Sequence, residues 1–186
     1  MKTALIQSAI IWENPEANRN YFEQKINAIP ESVDLIVLPE MFTTGFTMNP
    51  ETVAETMDGK TMGWLQSLAK AKKTAITGSL IIADNNNFYN RLVFVFPSGE
   101  IQFYDKRHLF TLAGEDKVYT SGTQRLIVDY LGWKICPLVC YDLRFPVFAR
   151  NVENYDLLLY VANWPKPRIN AWDILIKARS VENMCY

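Results

Sequence analysis

One histidine, His108, stands in the whole chain of 186 residues, beside three cysteines. A zinc site with several imidazole ligands is therefore excluded. Excess charge is also missing: 19 Lys and Arg against 20 Asp and Glu leave a formal charge of −1. Nucleic-acid or membrane-surface binding driven by electrostatics has no basis in such a balance. The longest unbroken apolar run, Leu157 to Ala162, is six residues, where a spanning helix needs about 20. The opening MKTALIQSAIIWEN is interrupted by Gln7 and Ser8 and has no signal-peptide cleavage pattern. These absences point to a soluble, cytoplasmic protein without membrane or nucleic-acid partners. No repeat, low-complexity tract or Gly/Ser linker divides the chain, so residues 1–186 read as a single domain. What is present, 49% hydrophobic and 21% charged residues, suffices for a packed core.

Helix and strand patterns alternate. Residues 3–11 read as a strand, and Asn14-Pro15-Glu16 supplies a cap, a first-turn proline and an early acid for a helix whose stripe is Ala17, Tyr21, Phe22, Ile26 and Ile29. Leu35–Leu38 is a short strand stopped by Pro39, and a second amphipathic helix covers about 61–72. Strands follow at 75–83, 91–96, 101–105, 125–130 and 133–140, separated by turn residues. Their apolar residues are consecutive rather than alternating, as a sheet covered on both faces requires. A helical stretch at 147–154, a strand at 157–162 and a last helix complete the pattern; that helix sets Ala171, Ile174, Leu175, Ala178, Val181 and Cys185 on one face. The class is α/β, with function expected where strands end and loops begin.

Cys140 lies at such an end, before Tyr141-Asp142-Leu143-Arg144-Phe145-Pro146. A cysteine in an apolar strand is most often a small buried hydrophobe, but a strand's carboxyl end also suits a nucleophile. Cys136 and Cys185 lie within apolar patterns and read as packing residues. Cys136 and Cys140, about 13 Å apart along a strand, cannot form a disulfide. Glu40 follows a buried strand at an equivalent position, either as a solvated loop acid or as a partner of Cys140. Lys106 and Glu115, taken singly, read as loop charges.

The blocks PEMFTTGF (39–46), YDKRHLF (104–110), AGE (113–115) and LVCYDLRFP (138–146) together resemble the nitrilase, or carbon–nitrogen hydrolase, superfamily. With VANWPKPR (161–168) and ARSVENMCY (178–186), they are most similar to its bacterial omega-amidase branch. The resemblance runs over essentially the whole chain. It implies a four-layer α-β-β-α sandwich, a Glu-Lys-Cys triad made of Glu40, Lys106 and Cys140, and no metal or organic cofactor. It further implies a small amide substrate, the terminal amide of a 2-oxo acid such as 2-oxoglutaramate or 2-oxosuccinamate, and a homodimer built on the last helix and the stretch after Cys140. Family members continue past the last of these blocks, so the C-terminal strands of the sandwich are expected to be missing from this chain.

Within the resemblance Cys140 is the nucleophile and Glu40 the general base that later activates water. Lys106 shares the oxyanion with the backbone N–H of Tyr141, and Glu115 orients the lysine or the substrate amine. The chemistry has a hurdle: reference values of about 8.5 for a thiol and 4.3 for a glutamate make proton transfer uphill by roughly 4 units, about 6 kcal/mol. Burial of Glu40 and a Lys106 cation beside the thiol would narrow that gap. Arg144, Phe42, Phe46, Asn163 and Trp164 are the candidates for substrate recognition. Arg144 is suited either to a substrate carboxylate or to local carbonyls. His108 reads as structural. Three other readings stay open: another amidase, carbamoylase or nitrilase with the same Glu-Lys-Cys triad, a Cys140–His108 dyad, and a non-catalytic protein that keeps the fold.

Overall fold

A computed structural model describes residues 1–30 and 32–186. Two sheets carry the chain. The first has the order β1 (Thr3–Leu5), β2 (Leu35–Val37), β3 (Ala75–Asp84), β4 (Asn87–Val95) and β5 (Ile101–Asp105). Its first three strands are parallel, and β4 is antiparallel to both neighbours. Hence β2 and β5 point the same way, and the residues following them, which include Glu40 and Lys106, emerge at one end of the sheet. The second sheet joins β6 (Val128–Tyr130) antiparallel to β7 (Trp133–Val139), and β7 parallel to β8 (Leu157–Val161). Cys140 and Asn163 follow β7 and β8.

Alternation along the strands builds the layers. Leu35, Val37, Leu92, Phe94 and Tyr104 of the first sheet pack with Val128, Ile135, Val139 and Leu159 of the second, forming the core between them. On the opposite face, Ile36, Leu38, Ile76, Val93 and Val95 meet Phe22 and Ile26 of α1 (Pro15–Asn27) and Met62, Leu65 and Ala69 of α2 (Lys60–Lys72). A short α3 (Pro146–Ala149) and the long α4 (Ile169–Asn183) cover the second sheet, through Ala149, Trp172, Leu175 and Ile176. The result is the expected α-β-β-α order.

Local chemistry explains the boundaries that differ from the sequence reading. The first strand ends at Leu5 rather than residue 11, because the buried Asn18 amide captures the backbone: it accepts from Ile11 N and donates to the carbonyls of Ile11 and Thr43. Strand β4 starts four residues early, at Asn87. Asn85 and Asn86 both have positive φ, 48° and 62°, which makes a two-residue hairpin with Asp84 paired to Asn87. Residues 125–127 stay out of the sheet; Arg125 instead binds the carbonyls of Phe148 and Arg150 and the carboxylate of Glu153. Those carbonyls no longer serve a helix, so the expected stretch at 147–154 shrinks to α3.

Helix α4 is rotated from its expected phase. Ile174 and Val181 are 68% and 78% exposed, while Trp172, Leu175, Ile176, Arg179 and Asn183 face inward. Polar bonds set the rotation: the buried Arg179 donates through Nε and Nη2 to the carbonyl of Leu143, and Asn183 accepts from Asn151 N. An apolar-only stripe cannot anticipate such anchors.

Candidate active site

The turn after β7 places Cys140. Its φ of 44° lies in the left-handed region, which costs a residue with a side chain about 1–2 kcal/mol. Cys140 is thus the first residue beyond the strand, opening a 3-10 turn that runs to Arg144. The buried Asp142 holds this bend. Its carboxylate accepts from Val139 N (3.0 Å), Tyr104 Oη (2.8 Å), His108 N (3.0 Å) and His108 Nδ1 (2.8 Å). Tyr104 Oη in turn accepts from Arg107 N at 2.9 Å, so one carboxylate ties the cysteine turn to the segment bearing Lys106. Gly122 closes that segment from the other side. Its N–H donates to Lys106 O at 3.0 Å, and a Cβ there would sit 2.0 Å from the carbonyl oxygen of Asp105. Only glycine fits this approach.

Glu40, Lys106 and Glu115 meet beneath the cysteine, each no more than 1% exposed. Lys106 Nζ donates to Glu40 Oε1 at 2.8 Å and to both oxygens of Glu115 at 3.0 and 2.9 Å. Asn163 N donates to Glu40 Oε2 at 2.9 Å, and Phe110 N to Glu115 Oε2 at 2.5 Å. Sequence reasoning missed one member, Asn90 on β4, because an Asn inside a strand pattern carries no motif. Its Nδ2 donates to Glu40 Oε1 at 2.9 Å and Glu115 Oε1 at 3.2 Å, and its Oδ1 has no partner among the described residues. An orphaned buried carbonyl costs about 1–3 kcal/mol, a cost tolerated here for the sake of the two carboxylate contacts.

Electrostatics follow from two carboxylates sharing one ammonium out of water. Burial alone would lower Lys106, but Glu40 and Glu115, with the Cys140 sulfur, raise it well beyond its ordinary range. Lys106 is a fixed cation. Burial pushes the Glu115 carboxyl up, Lys106 pulls it back, and the Glu40 charge adds to the rise. Burial and then the Glu40 charge hold the Cys140 thiol well above its usual value, with a hydrogen-bond contact to the same carboxylate; Lys106 opposes them. Burial and the Glu40 charge thus favour the thiol over the thiolate in the resting site. Cys136, by contrast, is fully buried in the core and pushed up to about 12 by burial.

Above these groups lies a cavity of about 290 Å³, at the small end for a small-molecule site. Glu40, Lys106 and Cys140 form its floor. Phe46, Tyr141, Arg144, Asn163 and Trp164 line it, as do Phe110 and Arg168, which were not singled out from sequence. The Phe46 ring centroid lies 5.2 Å from Lys106 Nζ. Arg144 stacks over Trp164 and Arg168 over Phe110, each at 5.2 Å, and neither guanidinium has a carboxylate partner among the described residues. The alternative of Arg144 bracing local carbonyls goes to another residue, since Arg179 takes the Leu143 carbonyl.

Phe42 is a correction: it is absent from the cavity wall. It is fully buried beneath the helices, with ring centroids 5.7 Å from Phe22 and 6.2 Å from Trp64. Met41, at φ 45°, turns the chain, and Phe42 N binds Ser79 O, so Glu40 and Phe42 point to opposite sides. His108 also stays out of the cavity, its ring stacked on Phe145 at 3.7 Å with Nδ1 on Asp142. Among the described residues, no helix is long and apolar enough to cross a membrane, and no three His, Cys, Asp or Glu side chains are arranged so that they could hold a metal ion.

The carbon–nitrogen hydrolase family model matches residues 2–186. Omega-amidase YafV of Escherichia coli is 44% identical over the whole chain, which spans 72% of that relative. The 2-oxoglutaramate amidase of Bacillus subtilis is 32% identical over 97% of the chain and 72% of its own length. In the solved structure of XC1258 from Xanthomonas campestris, a CN-hydrolase superfamily protein with an arsenic adduct in its active site, the chain superposes with a TM-score of 0.97 at 43% identity, covering 100% of this chain and 73% of that one. Sequence, fold and relatives agree, and this chain belongs to the carbon–nitrogen hydrolase family.

Proposed function

We propose that the protein is an omega-amidase, which cleaves the terminal amide of a 2-oxo dicarboxylic acid monoamide, such as 2-oxoglutaramate or 2-oxosuccinamate, to the 2-oxo acid and ammonia. The carrying observation is the cavity itself: a thiol, a carboxylate base and a buried ammonium on its floor, with two guanidiniums on its walls that have no carboxylate partner among the described residues. In this reading the Cys140 thiol gives its proton to Glu40 as sulfur attacks the amide carbon. Lys106 Nζ and Tyr141 N–H hold the oxyanion. Collapse breaks the C–N bond, and the proton on Glu40 leaves with ammonia. Glu40 then takes a proton from water as hydroxide adds to the thioester, the C–S bond breaks, and the proton returns to sulfur. Glu115 keeps Lys106 in place throughout. Arg144 and Arg168 supply bidentate donors for the substrate's remote carboxylate, and Phe46, Phe110 and Trp164 exclude water.

Ammonia release from a panel of amides tests the assignment. The 2-oxo acid monoamides should exceed simple aliphatic amides by at least about 100-fold in kcat/KM, the worth of one well-placed charged contact of about 3 kcal/mol. Equal rates on the two classes would sink the omega-amidase reading while leaving an amidase.

Homodimerisation belongs to the same proposal. Val147 on α3 and Ile174 and Val181 on α4 are 90%, 68% and 78% exposed, an apolar surface suited to a second copy. Light scattering should give twice the monomer mass, and a monomer at micromolar concentration would refute it.

A further inference from the structure

The two carboxylates beneath Cys140 differ in one respect: how many of their lone pairs are occupied. Each Oε1 receives two donors, Lys106 Nζ and Asn90 Nδ2, at 2.8 and 2.9 Å on Glu40 and at 3.0 and 3.2 Å on Glu115. Glu115 Oε2 also receives two, from Lys106 Nζ and Phe110 N. Glu40 Oε2 receives one, from Asn163 N. A carboxylate oxygen offers two lone-pair sites, so within this cluster a single site on Glu40 Oε2 is left open, on the carboxylate that lines the cavity together with Cys140. A proton placed on Glu115 would face donors on every side.

The orientation of the Asn90 amide is set by chemistry. Reversed, it would press its oxygen against two carboxylate oxygens; as placed, both N–H bonds are used. The same residue fixes the lysine's backbone, since Lys106 N donates to Asn90 O at 3.0 Å. Asn90 is fully buried and does not line the cavity.

We propose that Asn90 is a positioning residue: with Lys106 it fills Oε1 of Glu40 and both acceptor sites on Glu115 Oε1, confining proton exchange with Cys140 to Oε2 of Glu40. Glu40 is thereby the base and Glu115 is not, although both touch the same ammonium. The inference rests on the proposed Glu40–Cys140 chemistry and adds which oxygen carries it and what selects that oxygen. The charged and titratable groups facing Glu40 are Lys106 after β5, Glu115 in the 115–117 turn, Cys140 after β7 and, by its field, Tyr119.

The test compares Asn90→Ala, which removes both donors, with Asn90→Ser, which retains one. Alkylation of Cys140 by iodoacetamide, followed against pH, needs no substrate. A carboxylate that loses a donor to its charged form takes up a proton more readily, so the acid limb of the profile should move to higher pH, by about one unit in Asn90→Ala and less in Asn90→Ser. Turnover should fall at least tenfold in kcat with KM within twofold. An unmoved acid limb, with activity lost evenly at all pH, would show Asn90 to be merely structural and overturn the proposal. A moved limb in a protein that ignores 2-oxo acid amides would uphold it and reject the substrate assignment alone. Should neither variant fold, NMR of the unsubstituted protein decides: both Asn90 Nδ2 protons should exchange slowly with water, and fast exchange of either overturns the proposal.

Discussion

Glu40→Gln should reduce ammonia release by about 10³–10⁴-fold, the upper part of the range assigned to a positioned acid–base group, and should leave no thioester adduct detectable by intact mass. The substitution preserves volume but not bonding. Glu40 accepts from Lys106, Asn90 and Asn163 N, and these neighbours offer donors rather than an acceptor for a new amide N–H₂. In any orientation the new amide N–H₂ confronts another donor, and the remaining amide oxygen is too weak a base to take the thiol proton. The control is His108→Ala. That change removes the Nδ1 contact to Asp142 and the stack on Phe145, yet Asp142 keeps Val139 N, Tyr104 Oη and the backbone N–H of residue 108. Stability should fall by about 1–3 kcal/mol, with kcat within tenfold of the parent. The reverse pattern, a silent Glu40→Gln and a dead but folded His108→Ala, would replace the triad by a Cys140–His108 dyad.

Lys106→Met should damage stability as well as rate. The methionine fills the volume but strands two carboxylates, both 0% exposed, without a counter-ion. Breaking a buried pair in this way costs about 3–5 kcal/mol, and loss of the oxyanion donor costs about 10²–10³ in kcat. The stability deficit has a definite pH dependence. Burial and the Glu40 charge raise the Glu115 carboxyl, and Lys106 is what restrains that rise. Without the lysine the folded carboxyl rises further above its unfolded value. A group raised on folding contributes stability that is fully present below the unfolded value and lost as pH climbs through the folded one. The variant should therefore lie closest to the parent near pH 4–5, the ordinary carboxylate range of about 4.3, and furthest from it above neutrality. Denaturant unfolding at both ends of that interval reads the difference. A deficit that stays constant with pH, together with a rate within tenfold of the parent, would remove Lys106 from the charge cluster.

Different physics made different parts of the molecule legible in its residues. Helix α1 could be bounded at its start because Asn14 and Pro15 act on their own neighbours: Asn14 Oδ1 accepts from Ala17 N at 3.0 Å. The hairpin asparagines, likewise local, marked a turn. Glu40, Lys106 and Cys140 were nameable because each follows an apolar strand, and because their order and surrounding blocks resemble one family. Phe42 and the phase of α4 misled for a common reason. Apolar character says that a side chain will be buried, but not against what, and a left-handed Met41 or an Arg179 bonded to Leu143 decides the direction.

By itself, then, the sequence determined the class of fold and the ingredients of a thiol-based hydrolytic site. Local propensity, hydrophobic periodicity and charge balance act over a few residues and can be read there. Only the tertiary structure decided how those ingredients are wired. The bonds that do so join Glu40 to Asn90, Lys106 and Asn163, which are 50, 66 and 123 positions away, and no periodicity extends that far. Which carboxylate keeps an open lone pair, and which arginines face the cavity without a carboxylate partner among the described residues, follow from strand ends meeting in space, where burial makes each donor count.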